Sequence, residues 1–156
     1  MLILKDEDIR RLLTMKGAIA AVERAFGDLA RGRAMMPPRS TMMLEKGSIS
    51  LMPSHLQETG TVATKIISIY PLNPAGGLPT SMAQIIVNDP ETGRFIALIE
   101  ASYLTALRTG AVTGVAAHYL ARDDSEVAAI IGCGVQGRTQ AWAVAESRDI
   151  ETFRCY

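Results

Sequence analysis

A chain of 156 residues, 48% of them hydrophobic but few aromatic, is long enough for one domain or one and a piece built around an aliphatic core. Its 16 basic and 16 acidic residues cancel, which leaves no electrostatic footprint for nucleic acid or an anionic membrane surface. The amino-terminal stretch MLILKDEDIRR turns charged too early for a signal peptide, and no apolar run approaches membrane-spanning length, so a cytoplasmic protein is expected.

In chain order, DEDIRRLL predicts a short helix with an acidic start. Thr14 is positioned to cap a second helix that runs to about Arg31. In that helix Ala18, Ile19, Val22, Phe26 and Leu29 recur at helical spacing and predict one apolar stripe. Gly32 stands where a helix C-terminal glycine belongs, and Pro37-Pro38 in MMPPRS forbids continuation. The period then changes. TMMLE and SISLMP predict short strands around a two-residue turn at Lys46-Gly47, and TVATKIISIYP is a β-rich run ending at Pro71. NPAGGLPT reads as loop, while SMAQIIVND and RFIALIE flank PETG as a second hairpin. Such a succession of strands implies a mostly antiparallel sheet.

After Glu100 the helical period returns. ASYLTALRTGAVTGVAAHYLA places Leu104, Leu107, Ala111, Val115 and His118 within one broad face, and Gly110 and Gly114 predict close packing on a neighbouring element. His55 and His118 have no partner in the pattern and read as structural or surface residues. RDDSE reads as a charged turn at a domain junction, giving residues 1–122 and 123–156. Beyond it VAAII predicts a short buried strand, GVQGRTQAWAVAES a helix, and ETFRCY a second strand. Cys133 and Cys155 have no metal-ligand spacing and do not suggest a disulfide framework, so no metal is expected.

Gly132-Cys133-Gly134-Val135-Gln136-Gly137 follows a strand and opens a helix. In such a turn the first glycine permits the reversal, the second lets a pyrophosphate touch backbone, and the third lets helix pack on strand. N–H groups at the helix start, aided by its dipole, hold the phosphates. A merely tight strand-to-helix turn is the alternative. The acidic residue that reads the ribose normally stands ~20 residues further on, which falls at or past Tyr156. The sequence thus reads as the front half of a longer protein, or as a natural short chain that completes its sheet by association.

MMPPRS, SLMPSH, TKIISIYPLNP, LTALRTGAVTG and IIGCGVQGRTQ, in that order, resemble the ornithine cyclodeaminase and mu-crystallin family from about Lys5 onward. The resemblance implies an α/β fold: an α+β substrate and dimerisation domain with a mostly antiparallel sheet, followed by the start of a Rossmann domain that binds NAD or NADP. It implies that Arg39, Met52, Lys65 and Arg108 surround a small amino-acid or imino-acid substrate, with Lys65 also catalytic. A guanidinium clamps a carboxylate with two parallel hydrogen bonds, and a lysine offers a mobile charge or a proton. It further implies that Arg108, Thr109, Gly110, Gly132, Gly134, Val135, Gln136 and Gly137 line the cofactor. The activity implied is hydride transfer at the α-carbon, as ornithine cyclisation to proline or oxidative deamination such as that of alanine dehydrogenase. Ketimine reduction, NADPH and small-ligand binding without turnover, and an inactive dimerising fragment are the alternatives.

Two departures from the family pattern stand out. Its catalytic aspartate has no counterpart before Tyr156, and Ser50 occupies the position where ornithine-cyclising members carry glutamate.

Overall fold

The computed structural model describes all residues from Met1 to Tyr156. By packing, the chain forms two compact units. One comprises Met1–Ile9 with Gly27–Tyr103, and the other Arg10–Phe26 with Leu104–Tyr156. Both units are discontinuous in sequence, and most of the long helix ahead of RDDSE falls in the same unit as the residues after that segment.

The first unit is built on one sheet. Its strands are β1 (Leu2–Leu4), β2 (Ala34–Met35), β3 (Ser40–Leu44), β4 (Gly47–Leu56), β5 (Thr61–Ile69), β6 (Ser81–Asn88) and β7 (Phe95–Glu100). They lie in the order β1-β7-β6-β5-β4-β2, with β3 also paired to β4, and only the β1–β7 pair is parallel. The mixed α/β class with a mostly antiparallel sheet is therefore as the sequence implied. The turn at PETG is fixed by chemistry: the Asp89 carboxylate accepts the N–H groups of Glu91 and Thr92, both at 2.9 Å, and Gly93 takes φ +70°.

Several expectations need correction. The strands β1 and β2 were not expected, since each is too short to show a period and pairs with a distant partner. The two-residue turn between β3 and β4 is Glu45-Lys46, because Leu44 pairs with Gly47. Gly47 is glycine for another reason: a methyl group there would strike the carbonyl oxygen of Ile69 and the ring of Tyr70. Nor does β4 stop at Pro53. It runs on to Leu56, and Pro53 falls after the last β3 partner, Leu51, and before the first β2 partner, His55. A proline is tolerated where one side of the strand has no neighbour.

Helix α1 (Asp6–Leu12) has the predicted acidic start, and Asp6 also serves elsewhere. Its carboxylate accepts the Tyr103 N–H at 3.2 Å, capping α3 (Ser102–Leu120) from a distant part of the chain. Helix α2 (Met15–Ala30) is capped by Thr14, whose Oγ1 accepts the Gly17 N–H at 3.1 Å. It ends with Gly32 at φ +71° and the Arg33 N–H on the Asp28 carbonyl at 2.8 Å. The apolar stripe of α2 covers only part of its length. Met15 and Ala18 are buried, but Phe26 and Leu29 are exposed, and the buried residue near that end is Asp28.

Asp28 tolerates burial because Arg33 reaches back to it, with Nη2 2.8 Å and Nε 3.2 Å from Oδ1, and also pairs with Glu58 at 3.1 Å. The hydrogen bond from Arg33 outweighs desolvation and holds the Asp28 carboxyl below its ordinary value. A depressed carboxylate adds stability above its unfolded pKa of about 3.9 and loses it as pH falls through the folded value. Arg33→Gln is therefore expected to lower the unfolding temperature at neutral pH and to narrow its gap to wild type below about pH 4. Thermal melts at pH 7 and pH 3 measure both effects.

The second unit contains most of α3, α4 (Val135–Ser147), and a two-stranded parallel sheet of β8 (Val127–Ile130) and β9 (Thr152–Cys155). Met15, Ala18, Leu107, Ala111, Val115 and Ala143 are buried. Gly110 and Gly114 are packing glycines, as expected. A methyl group at Gly110 would lie 2.5 Å from the Thr139 carbonyl oxygen, and one at Gly114 would lie 2.9 Å from the Ile19 side chain. The VAAII strand is not buried as expected, with Val127 53% and Ile131 89% exposed. A parallel strand is buried only when both faces of its sheet are covered, and two strands with one helix do not supply that.

Arg148 ties this unit together. Its Nη2 donates to the carbonyls of His118 at 2.6 Å and Ala121 at 3.3 Å, the open C-terminal end of α3, and pairs with Asp123 at 3.3 Å. Arg148→Ala is expected to destabilise the protein by about 2 kcal/mol, the cost of charge-assisted hydrogen bonds to otherwise unpaired carbonyls. Urea denaturation measures the loss.

Candidate functional site

In the first unit the candidate substrate residues line up across neighbouring strands. Met52 on β4 pairs with Lys65 on β5, and Lys65 pairs with Ile85 on β6. Directly opposed residues of antiparallel strands project from the same face, with Cβ atoms about 5 Å apart. Met52, Lys65 and Ile85 thus form one row across three strands. Ser40, the first residue of β3, pairs with Leu51, the neighbour of Met52, and Arg39 directly precedes Ser40, outside the ladder. Arg39 is exposed, whereas Met52, Lys65 and Ile85 are half-buried. Along β5 the same-face neighbours of Lys65 are Ala63 and Ile67, so its charge rises from an apolar surface.

Period alone could not find Ile85. Its place beside Lys65 follows from the β5–β6 register, which depends on the loop between those strands. Ser50, two positions from Met52 and on the same face of β4, is buried, and its hydroxyl lies 2.8 Å from that of Thr41 on β3.

In the second unit the glycine turn joins β8 to α4. Gly132 adopts φ +92°, which an L side chain enters only under strain, and its N–H donates to the Tyr156 carbonyl at 2.9 Å. A methyl group on Gly137 would collide with the Gly132 carbonyl, so helix and turn meet backbone to backbone. Gly134 differs from both. It has φ −73°, open to any residue, and a methyl group there would meet no protein atom within 4 Å. Neither conformation nor internal packing requires glycine at that position. What remains is room for a ligand to touch the backbone.

The helix start agrees. No side chain caps α4, its first turn holds no acidic residue, and the residues from Gly132 to Gln136 are exposed. A pyrophosphate would meet N–H groups and the positive end of a 13-residue helix without a competing carboxylate. The residues present therefore fit a dinucleotide. On α3, Arg108 is exposed, Gly110 is buried, and Thr109 donates its hydroxyl to the Thr105 carbonyl at 2.7 Å. His118 is a surface residue, stacked edge-on against Tyr119 at a ring separation of 4.9 Å. No three His, Cys, Asp or Glu side chains come together to hold a metal ion.

The family model for the ornithine cyclodeaminase/mu-crystallin family matches residues 1–156. The chain belongs to the ornithine cyclodeaminase/mu-crystallin family. It is 45% identical over 155 residues to the alanine dehydrogenase of Archaeoglobus fulgidus, covering 99% of this chain and 48% of that protein. Among solved structures, Delta(1)-pyrroline-2-carboxylate reductase of Thermococcus litoralis, in complex with NADH and L-proline, superposes with a TM-score of 0.97 at 49% identity. That match covers 100% of this chain and 49% of the reductase. An archaeal alanine dehydrogenase dimer with bound NAD gives a TM-score of 0.97 at 45% identity, over 100% of this chain and 48% of that one. The chain spans about half the length of the curated relatives it matches. No helix is long and apolar enough to cross a membrane.

Proposed function

We propose that this chain carries the substrate-gripping region and the first part of the cofactor domain of an NAD(P)-linked oxidoreductase that exchanges a hydride with the α-carbon of an amino acid. Gly134 carries the reading, as a glycine that nothing within the protein requires, at the mouth of a strand-to-helix turn. Residues 1–122 supply the substrate and dimerisation functions, and residues 123–156 open the NAD(P)-binding domain.

Arg39 and Lys65 hold the substrate carboxylate, and Met52 forms the wall between them. Lys65, on its apolar surface, also carries a proton to or from the substrate nitrogen. Arg108 keeps both roles that the resemblance gives it, at substrate and cofactor. With Thr109 and Gly110 it joins Gly132, Gly134, Val135, Gln136 and Gly137 in receiving the dinucleotide. NAD or NADP, when bound, supplies the hydride acceptor. Fixed cations orient the amino acid and stabilise its carboxylate while the carbon–nitrogen bond changes order. The exposed Met42, Met43 and Leu44 on β3 favour self-association of the kind seen in the dimeric relative.

Oxidation of an α-amino acid such as alanine is the first reading. It is supported by the 45% identity to the alanine dehydrogenase and by Ser50, whose hydroxyl is engaged where cyclising members place a carboxylate. Reduction of a cyclic imine is the second, favoured by the 49% identity to the reductase that holds L-proline. Calorimetric titration of the full-length gene product with NAD and NADPH, followed by assays with alanine, ornithine and Delta(1)-pyrroline-2-carboxylate, separates them. Tight dinucleotide binding without turnover of any amino or imino acid would remove the enzyme reading and leave a binding protein.

A further inference from the structure

The two cysteines, unremarkable in sequence, are brought together at the glycine turn. Cys133 is the residue between Gly132 and Gly134, and Cys155 ends β9 opposite Ile130 of β8. The strands continue to hold each other beyond that pair, with the Gly132 N–H on the Tyr156 carbonyl and the Tyr156 N–H on the Ile130 carbonyl, both at 2.9 Å. Cys133 Sγ donates to the same Tyr156 carbonyl at 3.8 Å. That contact sets the Cys133 sulfur against the residue that follows Cys155, and both cysteines are exposed.

We propose that Cys133 and Cys155 form a reversible disulfide that closes the glycine turn to dinucleotide, making the turn an oxidation-sensitive gate. The proposal rests on the dinucleotide reading of that turn. A disulfide requires the sulfurs to close to about 2.0 Å, and the hydrogen bonds at the strand ends already hold the two backbone segments that carry them side by side. The movement falls on the residue beside Gly134, where the proposed pyrophosphate seat lies.

The oxidant is a low-molecular-weight disulfide such as oxidised glutathione. The Cys133 thiolate attacks one of its sulfurs, releasing one reduced glutathione and leaving a mixed disulfide. Cys155 then loses its proton and displaces the second glutathione. One protein S–S bond has formed, one glutathione S–S bond has broken, and two electrons and two protons leave as two thiols. Desolvation at the strand end, then the neighbouring Cys133, raises the Cys155 pKa above its ordinary value. The raised value keeps Cys155 protonated until that second step, so the bridge forms faster as pH rises.

The test equilibrates the full-length gene product in glutathione buffers of graded ratio at pH 8. Tryptic mass mapping reads the Cys133–Cys155 bridge, and fluorescence titration reads NADH affinity. The expected result is a bridge that titrates with the buffer, at least a ten-fold loss of NADH affinity in step with it, and full recovery in dithiothreitol. Cys155→Ser should bind NADH like the reduced protein and ignore the buffer. Failure of the bridge to form, or a bridge that leaves NADH affinity unchanged, overturns the gate. If the reduced protein binds no NADH while the bridge forms, the dinucleotide reading itself falls and the gate with it. The mapping thus scores the bridge separately from the ligand.

Discussion

Alanine in place of Gly134 is expected to weaken NADH binding by at least ten-fold, about 1.4 kcal/mol or more, while leaving stability within about 0.5 kcal/mol of wild type. The added methyl group meets no protein atom and the backbone angle is ordinary, so folding has nothing to lose. Its only neighbour is whatever lies against the turn. Alanine at Gly137 is the control with the opposite signature. There the methyl group strikes the Gly132 carbonyl, and about 3 kcal/mol of stability is expected to go, with binding lost as a consequence. Urea unfolding and NADH titration on the pair distinguish a ligand-facing glycine from a structural one. Unchanged NADH affinity in Gly134→Ala would end the dinucleotide assignment.

Lys65→Met is expected to fold like wild type and to lose about a thousand-fold in kcat/KM towards the amino acid. Methionine has similar length and packs between Met52 and Ile85 with its apolar neighbours undisturbed. What disappears is a charge on an otherwise apolar surface, and truncating one member of a desolvated charge pair typically costs 2–5 kcal/mol. The effect should appear in kcat as well as KM if Lys65 handles a proton, and in KM alone if it only grips the carboxylate. A pH–rate profile that loses one limb in the variant identifies the proton role. Activity within a factor of two of wild type would show that this lysine faces no substrate.

The readable and unreadable parts of this chain divide by the range of the forces involved. Thr14, Gly32 and the PETG turn were legible because caps and tight turns are satisfied by residues within a few positions. Gly110 and Gly114 announced close packing correctly, since a small residue in a helix leaves a gap that something must fill. β1 and β2 were not legible, because a strand of two or three residues owes its existence to a distant partner. Gly47 misled for a related reason: glycine after lysine resembles a turn, yet its purpose is the close approach of Ile69, at the end of the next strand, and of Tyr70 just beyond it. In the candidate site, Arg39, Met52 and Lys65 came from the family resemblance, while the pairing of Met52 with Lys65 across two strands came only from the register. The nearness of Cys133 and Cys155 was equally hidden, because a strand pairing joins residues that spacing arithmetic treats as unrelated.

The contacts of Gly110 and Gly114 bear on how such proteins can be recombined. Backbone, rather than adjustable side chains, sets the distance from α3 to α4 at Thr139, and Ile19 of α2 fills the space beside Gly114. A chimaera joined at the charged RDDSE segment would press α3 against a foreign helix that has no matching surface. A graft that takes Leu104–Tyr156 as one cassette, along with Arg10–Phe26, transfers the fitted surfaces intact. Exchange of cofactor modules between relatives should therefore succeed at the upstream seam and fail at the one that looks more natural in the sequence.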